Sequence, residues 1–161
     1  MPKTLPYLWR GKHPETPSYA LSSAAIVDAT RNGFEDILWI NPDHEFTESS
    51  IANIFFIARD GDEVEILTPA EHSGLLTGIT RENLLALLPK EGIETRKEVI
   101  YADQLPRFDE AFVTSTVRGL VPVSLIGKHQ LHSANPKSIF QSIHELYLRD
   151  VARKLGRRVN W

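Results

Sequence analysis

The chain has 161 residues, a formal net charge of −3 and no cysteine. This length favours a single domain, and the slight negative charge argues against general attraction to nucleic acid or to an anionic membrane surface. The lack of cysteine excludes disulfides and thiolate metal ligands. Because the sequence also has no run of about 18 apolar residues and no signal-peptide pattern at Met1, we expect a cytoplasmic protein.

The first eighteen residues are rich in proline, with Pro2, Pro6, Pro14 and Pro17 among them. Such spacing interrupts helices and favours extended chain and turns. We therefore predict a proline-rich N-terminal arm over residues 1–18, not a packed element, and one folded domain over residues 19–161.

Local patterns in the first half of that domain predict a helix followed by three strands. Ser18 is a candidate cap for a helix over residues 19–31. A short apolar run over 36–40 and a longer one over about 46–58 are typical of strands. The turn signal Asp60-Gly61-Asp62 then predicts a hairpin whose returning strand covers residues 63–68.

The second half alternates less regularly between helices and strands. Thr80 is a candidate cap for a helix that Pro89 ends. The other predicted elements are strands over 93–100, 110–116 and 120–126, a short helical turn over 102–105, and a helix from Pro136 to about Leu155. Because strands outnumber helices and do not alternate strictly with them, the pattern predicts an α+β (mixed α/β) fold and excludes a doubly wound sheet.

Three polar segments are candidates for chemistry, and each also has a purely structural interpretation. Glu48 stands among hydroxyl residues before an apolar strand, where an acid usually faces solvent. The residues 78–81 combine a glycine with a helix start, which suits an anion or a simple cap. The hydroxyls of residues 114–116 end a buried strand, where they could bind the same anion or satisfy a sheet edge. The histidines show no metal-ligand spacing, so we predict no metal site.

Taken together, these segments resemble the fold-type IV (class IV) pyridoxal-phosphate enzymes, which include branched-chain and D-amino-acid aminotransferases and aminodeoxychorismate lyases. The resemblance runs from about Gly33 to Gly127, in the family's order and near its spacing. Its motifs are Thr47-Glu48-Ser49-Ser50-x-x-Asn53-Ile54-Phe55, Leu76-x-Gly78-Ile79-Thr80-Arg81, Asp109-Glu110-Ala111-Phe112-Val113-Thr114-Ser115-Thr116 and Val121-Pro122-Val123. It implies the large, C-terminal domain of these enzymes, with a β-rich core and flanking helices.

The resemblance implies a site for pyridoxal 5'-phosphate (PLP). Glu48 matches the acid that pairs with the pyridine nitrogen and keeps it protonated. Leu76 matches the residue packed on the ring, and the amides of Ile79 and Thr80 match the phosphate-binding pair.

Two further residues of the strand end are carried over in the same way. Thr116 matches a hydroxyl that binds the phosphate, and Ser115 would lie near the phosphate and the substrate.

The family's catalytic lysine forms the Schiff base with the cofactor and shuttles the proton. Its best local match is Lys3, in Lys3-Thr4-Leu5-Pro6-Tyr7-Leu8, which is close to the family's Lys-Thr-x-x-Tyr-Leu. The distance from Lys3 to Glu48 is longer than in relatives, and Lys12 is the second candidate. The structural alternative is that Lys3 is a mobile terminal lysine.

The implied activity is transamination of an α-amino acid, with amino or keto acids as partners, or an aminodeoxychorismate lyase reaction. Relatives form homodimers and carry an N-terminal small domain that closes the site, whereas this chain begins near the start of the cofactor-binding domain. Two alternatives stay open. The chain could be one half of a split enzyme with a separate small-domain chain, or a catalytically impaired stand-alone domain that retains the fold for binding or assembly.

Overall fold

The computed structural model describes residues 3–4, 7–10, 19–61 and 63–156, with side chains from Ser22 onward. The strands in these ranges are β1 (Lys3–Thr4), β2 (Tyr7–Arg10), β3 (Ile37–Ile40), β4 (Phe46–Ser49), β5 (Asn53–Asp60), β6 (Glu63–Pro69), β7 (Thr95–Glu98), β8 (Glu110–Ser115), β9 (Gly119–Ile126) and β10 (His129–Gln130). The α-helices are α1 (Tyr19–Arg31), α2 (Ile79–Leu87) and α3 (Ile139–Lys154), and 3-10 turns cover Glu71–Ser73, Leu88–Glu91 and Ala102–Arg107.

The strands form one mixed sheet in the order β1-β9-β8-β5-β4-β3-β2, with β6 on β5, β7 on β6 and β10 on β9. Most neighbours are antiparallel, but β1–β9, β2–β3 and β6–β7 are parallel. The central strand β5 is rich in aromatic and β-branched residues, which suit a strand buried on both faces. This sheet with irregularly placed helices confirms the α+β (mixed α/β) prediction.

Alternate residues of β5 enter two separate hydrophobic cores. Ile54 and Phe56 pack on one face of the sheet, whereas Phe55 and Ile57 pack on the other. Successive side chains of a strand point to opposite faces, so one short sequence supplies both cores. On the second face Phe55 stacks on Phe112 at 5.0 Å, and α2 and α3 cover them with the side chains Leu84, Leu87, Phe140 and Ile143. The two helices are thereby fixed against the central strands.

The opening of the chain differs from the sequence prediction. Lys3–Thr4 pairs with β9, and Tyr7–Arg10 pairs in register with β3. The prediction that residues 1–18 contain no packed element is therefore wrong for these six residues. Residues 11–18, including the proposed cap Ser18, lie outside the described part of the chain.

Two helices begin at residues other than those predicted. The cap of α2 is Gly78, so Thr80 lies inside the first turn. α3 begins at Ile139 behind Ser138, whose hydroxyl accepts a hydrogen bond from the Gln141 amide, and not at Pro136. Within the described part of the chain, no helix has the length and apolar character needed to cross a membrane.

Candidate active site

Glu48 lies on β4, directly opposite Asn53 of β5. Its side chain is half-buried. Its Oε2 atom accepts a hydrogen bond from Asn53 Nδ2 at 3.1 Å and another from the Leu76 amide at 3.2 Å. Two fixed donors on one oxygen hold a carboxylate in one orientation. The interpretation of Glu48 as a simple solvent-facing acid is therefore at odds with these contacts.

Asn53 joins three segments of the chain through one buried amide. In addition to the bond with Glu48, its Nδ2 donates to the Leu76 carbonyl at 2.7 Å, and its Oδ1 accepts from the Gly78 amide at 3.1 Å. Only 4% of Asn53 is exposed. Glu48, Asn53, Leu76 and Gly78 are thus one hydrogen-bonded unit, which we call the β4–α2 link.

The N-terminus of α2 has the form of an anion site. Gly78 precedes the helix with an extended backbone, and no side chain among the described residues caps the first turn. The amides of Ile79 and Thr80 are therefore oriented by the helix, and its dipole favours negative charge there. A Cβ at residue 78 would lie 2.3 Å from Asn53 Oδ1. Glycine is needed at this position for the close approach of helix and strand.

The Ile79 and Leu76 side chains border this helix start and are largely exposed, at 73% and 68%. Both are apolar, so they offer a surface on which a flat apolar group or another protein segment could pack. Thr80, by contrast, is buried. Leu76, Ile79 and Thr80 thus lie within five consecutive residues, and among them the Leu76 amide contacts Glu48.

Arg81 anchors the same helix from inside the protein. Its side chain has no exposed surface. Nε donates to Thr68 Oγ1 at 3.2 Å and Nη2 donates to the Pro69 carbonyl at 2.7 Å, both at the end of β6. Nη1 pairs with Glu71 at 3.1 Å and with Glu82 at 2.6 Å. Because every nitrogen of the guanidinium group is bonded, the first turn of α2 is held firmly on the sheet.

Lys97 completes this cluster from β7. Its Nζ lies 2.7 Å from Glu71 Oε1 and 3.3 Å from Glu82 Oε2. The hydrogen bond from Lys97 is the largest cause that lowers the pKa of Glu71 from 4.5 to about 2, and Arg81 adds to it. Reciprocally, the hydrogen bond to Glu71 is the main reason why the pKa of Lys97 is raised. Both shifts favour the charged forms, so Glu71 and Lys97 stay charged and paired near neutral pH.

The end of β8 supplies hydroxyl groups beside Asn53. Thr114 is opposite Asn53 in the β5–β8 pairing. Its Oγ1 is buried and has no hydrogen-bond partner among the described residues. Ser115 is half-buried and accepts a hydrogen bond from the Arg118 amide at 3.2 Å, while Thr116 is exposed in the following turn. A buried hydroxyl without a partner costs free energy unless a ligand or water satisfies it.

Lys3 lies in β1, opposite Val123 of β9, and Val123 in turn lies opposite Ala111 of β8. The backbone of Lys3 therefore belongs to the same sheet as Glu48, four strands away along the sheet order. Its side chain and Lys12 lie outside the described residues. The sequence analysis did not select Asn53 as a site residue, and it named Thr114 only as one of three hydroxyl residues that could bind an anion. The one available signal was an amide placed at the start of an apolar strand.

Comparison with known proteins identifies the family of this chain. Residues 6–126 match the family model for class IV amino-transferases. A relative named as a probable branched-chain-amino-acid aminotransferase of Aquifex aeolicus is 29% identical over 145 residues, which cover 89% of this chain and 45% of the relative.

Solved structures of aminotransferases have a fold similar to that of this chain. The branched-chain aminotransferase from Thermoproteus uzoniensis with norvaline has a TM-score of 0.82 and 29% identity, over 95% of this chain and 52% of that one. An aminotransferase from Brucella abortus bound to the co-factor PLP has a similar fold, with a TM-score of 0.77 at 21% identity, over 92% of this chain and 54% of that one. The chain thus spans about half the length of the proteins it matches. It belongs to the class IV amino-transferase family.

Proposed function

We propose that this chain is the PLP-binding half of a class IV enzyme that transaminates an α-amino acid, or that acts as an aminodeoxychorismate lyase. The observation that supports it best is the β4–α2 link. This link connects Glu48 with the start of α2. The family resemblance assigns Glu48 to the pyridine nitrogen and the start of α2 to the phosphate. When bound, PLP supplies an electron sink that stabilises negative charge on the substrate carbon next to the amino group.

The described residues fit this cofactor by their chemistry. The Glu48 carboxylate, held through Oε2 by Asn53 and Leu76, would accept a hydrogen bond from the protonated ring nitrogen. The amides of Ile79 and Thr80 at the uncapped helix start would donate to the phosphate. The buried Thr114 hydroxyl that lacks a partner among the described residues fits the same acceptor, and Ser115 and Thr116 would add hydroxyls at the edge of the site.

Lys3 is the residue that we propose for covalent attachment and proton transfer. Its Nζ atom would hold the cofactor, and as a free amine it would move a proton to or from the substrate carbon. A test is to incubate the protein with PLP, reduce it with borohydride, and map the modified peptide by mass spectrometry. We expect the label on Lys3. A label on Lys12, or equal labelling in the variant K3A, would refute the assignment.

The role of Glu48 can be tested against a matched acid. Glu45 also accepts a hydrogen bond from an asparagine, Asn41, at 2.8 Å, but it lies in the turn before β4. We expect E48Q to weaken PLP binding and E45Q to leave it within about twofold, because a charge-assisted hydrogen bond contributes about 1.5–3 kcal/mol. Equal affinities for PLP in E48Q and the wild type would contradict the proposed contact.

The surroundings of the site support a need for cover during turnover. Leu76 and Ile79 expose apolar surface next to the proposed cofactor position, and water at that position would weaken the electrostatic control of the reaction. We propose that a second protein segment covers it, from a homodimer partner or from a separate small-domain chain in the cytoplasm. Transaminase assays of the chain with amino and keto acids, alone and with candidate small-domain proteins, test this. PLP binding without turnover in every combination would favour the impaired, binding-only alternative.

A further inference from the structure

Asn53 makes hydrogen bonds that strand formation does not require. β5 pairs with β4 and β8 through its backbone, yet the Asn53 side chain makes three additional bonds, to Glu48, Leu76 and Gly78. These partners lie 5, 23 and 25 residues away in sequence. An asparagine in this position stabilises a particular arrangement of three segments, because each partner must lie in its own direction from the amide plane.

That arrangement sets the distance between the two ends of the proposed cofactor site. The carboxylate for the ring nitrogen is on β4, whereas the amides for the phosphate open α2. The loop between β6 and α2 contacts Glu48 directly through the Leu76 amide, and Asn53 bonds the Leu76 carbonyl and the Gly78 amide of the same loop. Because the pyridine ring of PLP is rigid and its phosphate arm is short, its affinity depends on the spacing of these two groups as well as on each group.

We propose that Asn53 is a positioning residue, which holds the Glu48 carboxylate in register with the anion-binding turn of α2. This inference rests on the proposed function and adds to it a residue that acts through Glu48 and Gly78 and does not touch the cofactor. It accounts for the glycine at residue 78, since a Cβ there would lie 2.3 Å from Asn53 Oδ1.

The chain contains a matched control for Asn53. Asn41 is also an asparagine whose Nδ2 donates to a glutamate, Glu45 Oε2 at 2.8 Å, and to a backbone carbonyl, that of Ser73 at 3.1 Å. Its Oδ1 likewise accepts from backbone amides. Asn41 lies in the turn between β3 and β4, outside the proposed site. An Asn→Asp change at either residue keeps an acceptor, removes the two donated bonds and places a second carboxylate beside the glutamate.

The experiment compares PLP with its 1-deaza analogue, in which a carbon replaces the ring nitrogen. Dissociation constants for both compounds are measured for the wild type, N53D and N41D, with thermal unfolding as the measure of folding. We expect the wild type and N41D to prefer PLP by about tenfold or more, the size of one charge-assisted hydrogen bond. In N53D the preference should fall to within about twofold, because Glu48 no longer meets the ring nitrogen.

The possible outcomes separate the inference from the proposed function. A purely structural Asn53 would lower the affinity of N53D for both compounds equally and keep their ratio, which would overturn the inference alone. A wild type that binds neither compound would overturn the proposed function and the inference with it. If N53D fails to fold, the variant N53S is used in its place. Its preference for PLP is measured together with hydrogen exchange at the Leu76 and Gly78 amides. Wild-type exchange and an unchanged ratio in N53S would then refute the positioning role.

Discussion

Replacing Gly78 by alanine is a direct test of how tightly β5 and α2 are joined. Gly78 has φ −84° and ψ 142°, which alanine adopts without strain. The added Cβ would, however, lie 2.3 Å from Asn53 Oδ1, whereas ordinary contact begins at 3.4 Å. One of the two residues must therefore retreat by about 1.1 Å.

The three hydrogen bonds of Asn53 determine the cost of that movement. Their lengths are 2.7–3.1 Å, so a retreat of this size breaks or severely weakens them. At about 0.5–1.5 kcal/mol each, the loss is about 2–4 kcal/mol. Alanine also restricts the unfolded chain, which offsets about 0.4–1 kcal/mol. We expect G78A to lower the free energy of unfolding by about 1–3 kcal/mol.

Urea denaturation of the wild type, G78A, N53A and the double variant measures this cost. In the N53A background the obstructing oxygen is gone, so the same G78A change should cost nothing or stabilise slightly. The interaction between the two substitutions should then be favourable by about 1–3 kcal/mol. Additive effects of G78A and N53A, or a G78A variant as stable as the wild type, would refute the proposed contact.

Three further predictions concern the ion cluster and the last helix. R81M should lower the free energy of unfolding by about 2–4 kcal/mol in urea denaturation, since it leaves acids and a carbonyl without their buried partner; a loss below about 0.5 kcal/mol would contradict this role. Because the pKa of Glu71 is lowered from 4.5 to about 2, mainly by its bond to Lys97, its stabilising effect is complete above pH 4.5 and is lost as the pH falls towards 2. E71Q should therefore flatten the pH dependence of unfolding in that range, and an unchanged slope would contradict the pairing. E110Q should lower the free energy of unfolding by about 1–3 kcal/mol, since the buried Glu110 side chain accepts hydrogen bonds from the first two amides of α3 at 2.9 and 2.8 Å. The control E145Q, on the exposed side of α3, should have no measurable effect.

Local sequence patterns predicted the elements whose partners are close in the chain. The hairpin of β5 and β6 follows from apolar alternation on both sides of the Asp60-Gly61 turn, and α1 was predicted with its exact bounds. By contrast, β1 and β2 gain their stability from parallel pairing with β9 and β3. A parallel partner is separated by a long crossover, so nothing in residues 1–10 indicates it. The fold class was predictable, but these strands were not.

The helix starts show the same limit. Thr80 is a typical capping residue, yet the residue before α2 is Gly78, whose amide donates a hydrogen bond to the Asn53 side chain of another strand. At α3 the long-range acceptor is Glu110, and it acts together with the local cap Ser138. In both cases a buried group distant in sequence accepts a hydrogen bond from an amide at the helix start.

The candidate site extends this reasoning to function. The sequence motif placed Glu48 and residues 76–81 in the right order, but the distance between them in sequence carries no information on how they meet. In the structure they meet through Asn53, whose residue type alone predicts little more than a poor strand former. Its two roles follow from geometry, since the same amide both holds the Glu48 carboxylate and excludes a side chain at Gly78. In this chain the two motifs thus form one physical unit, and a substitution at Asn53 should disturb both ends of it at once.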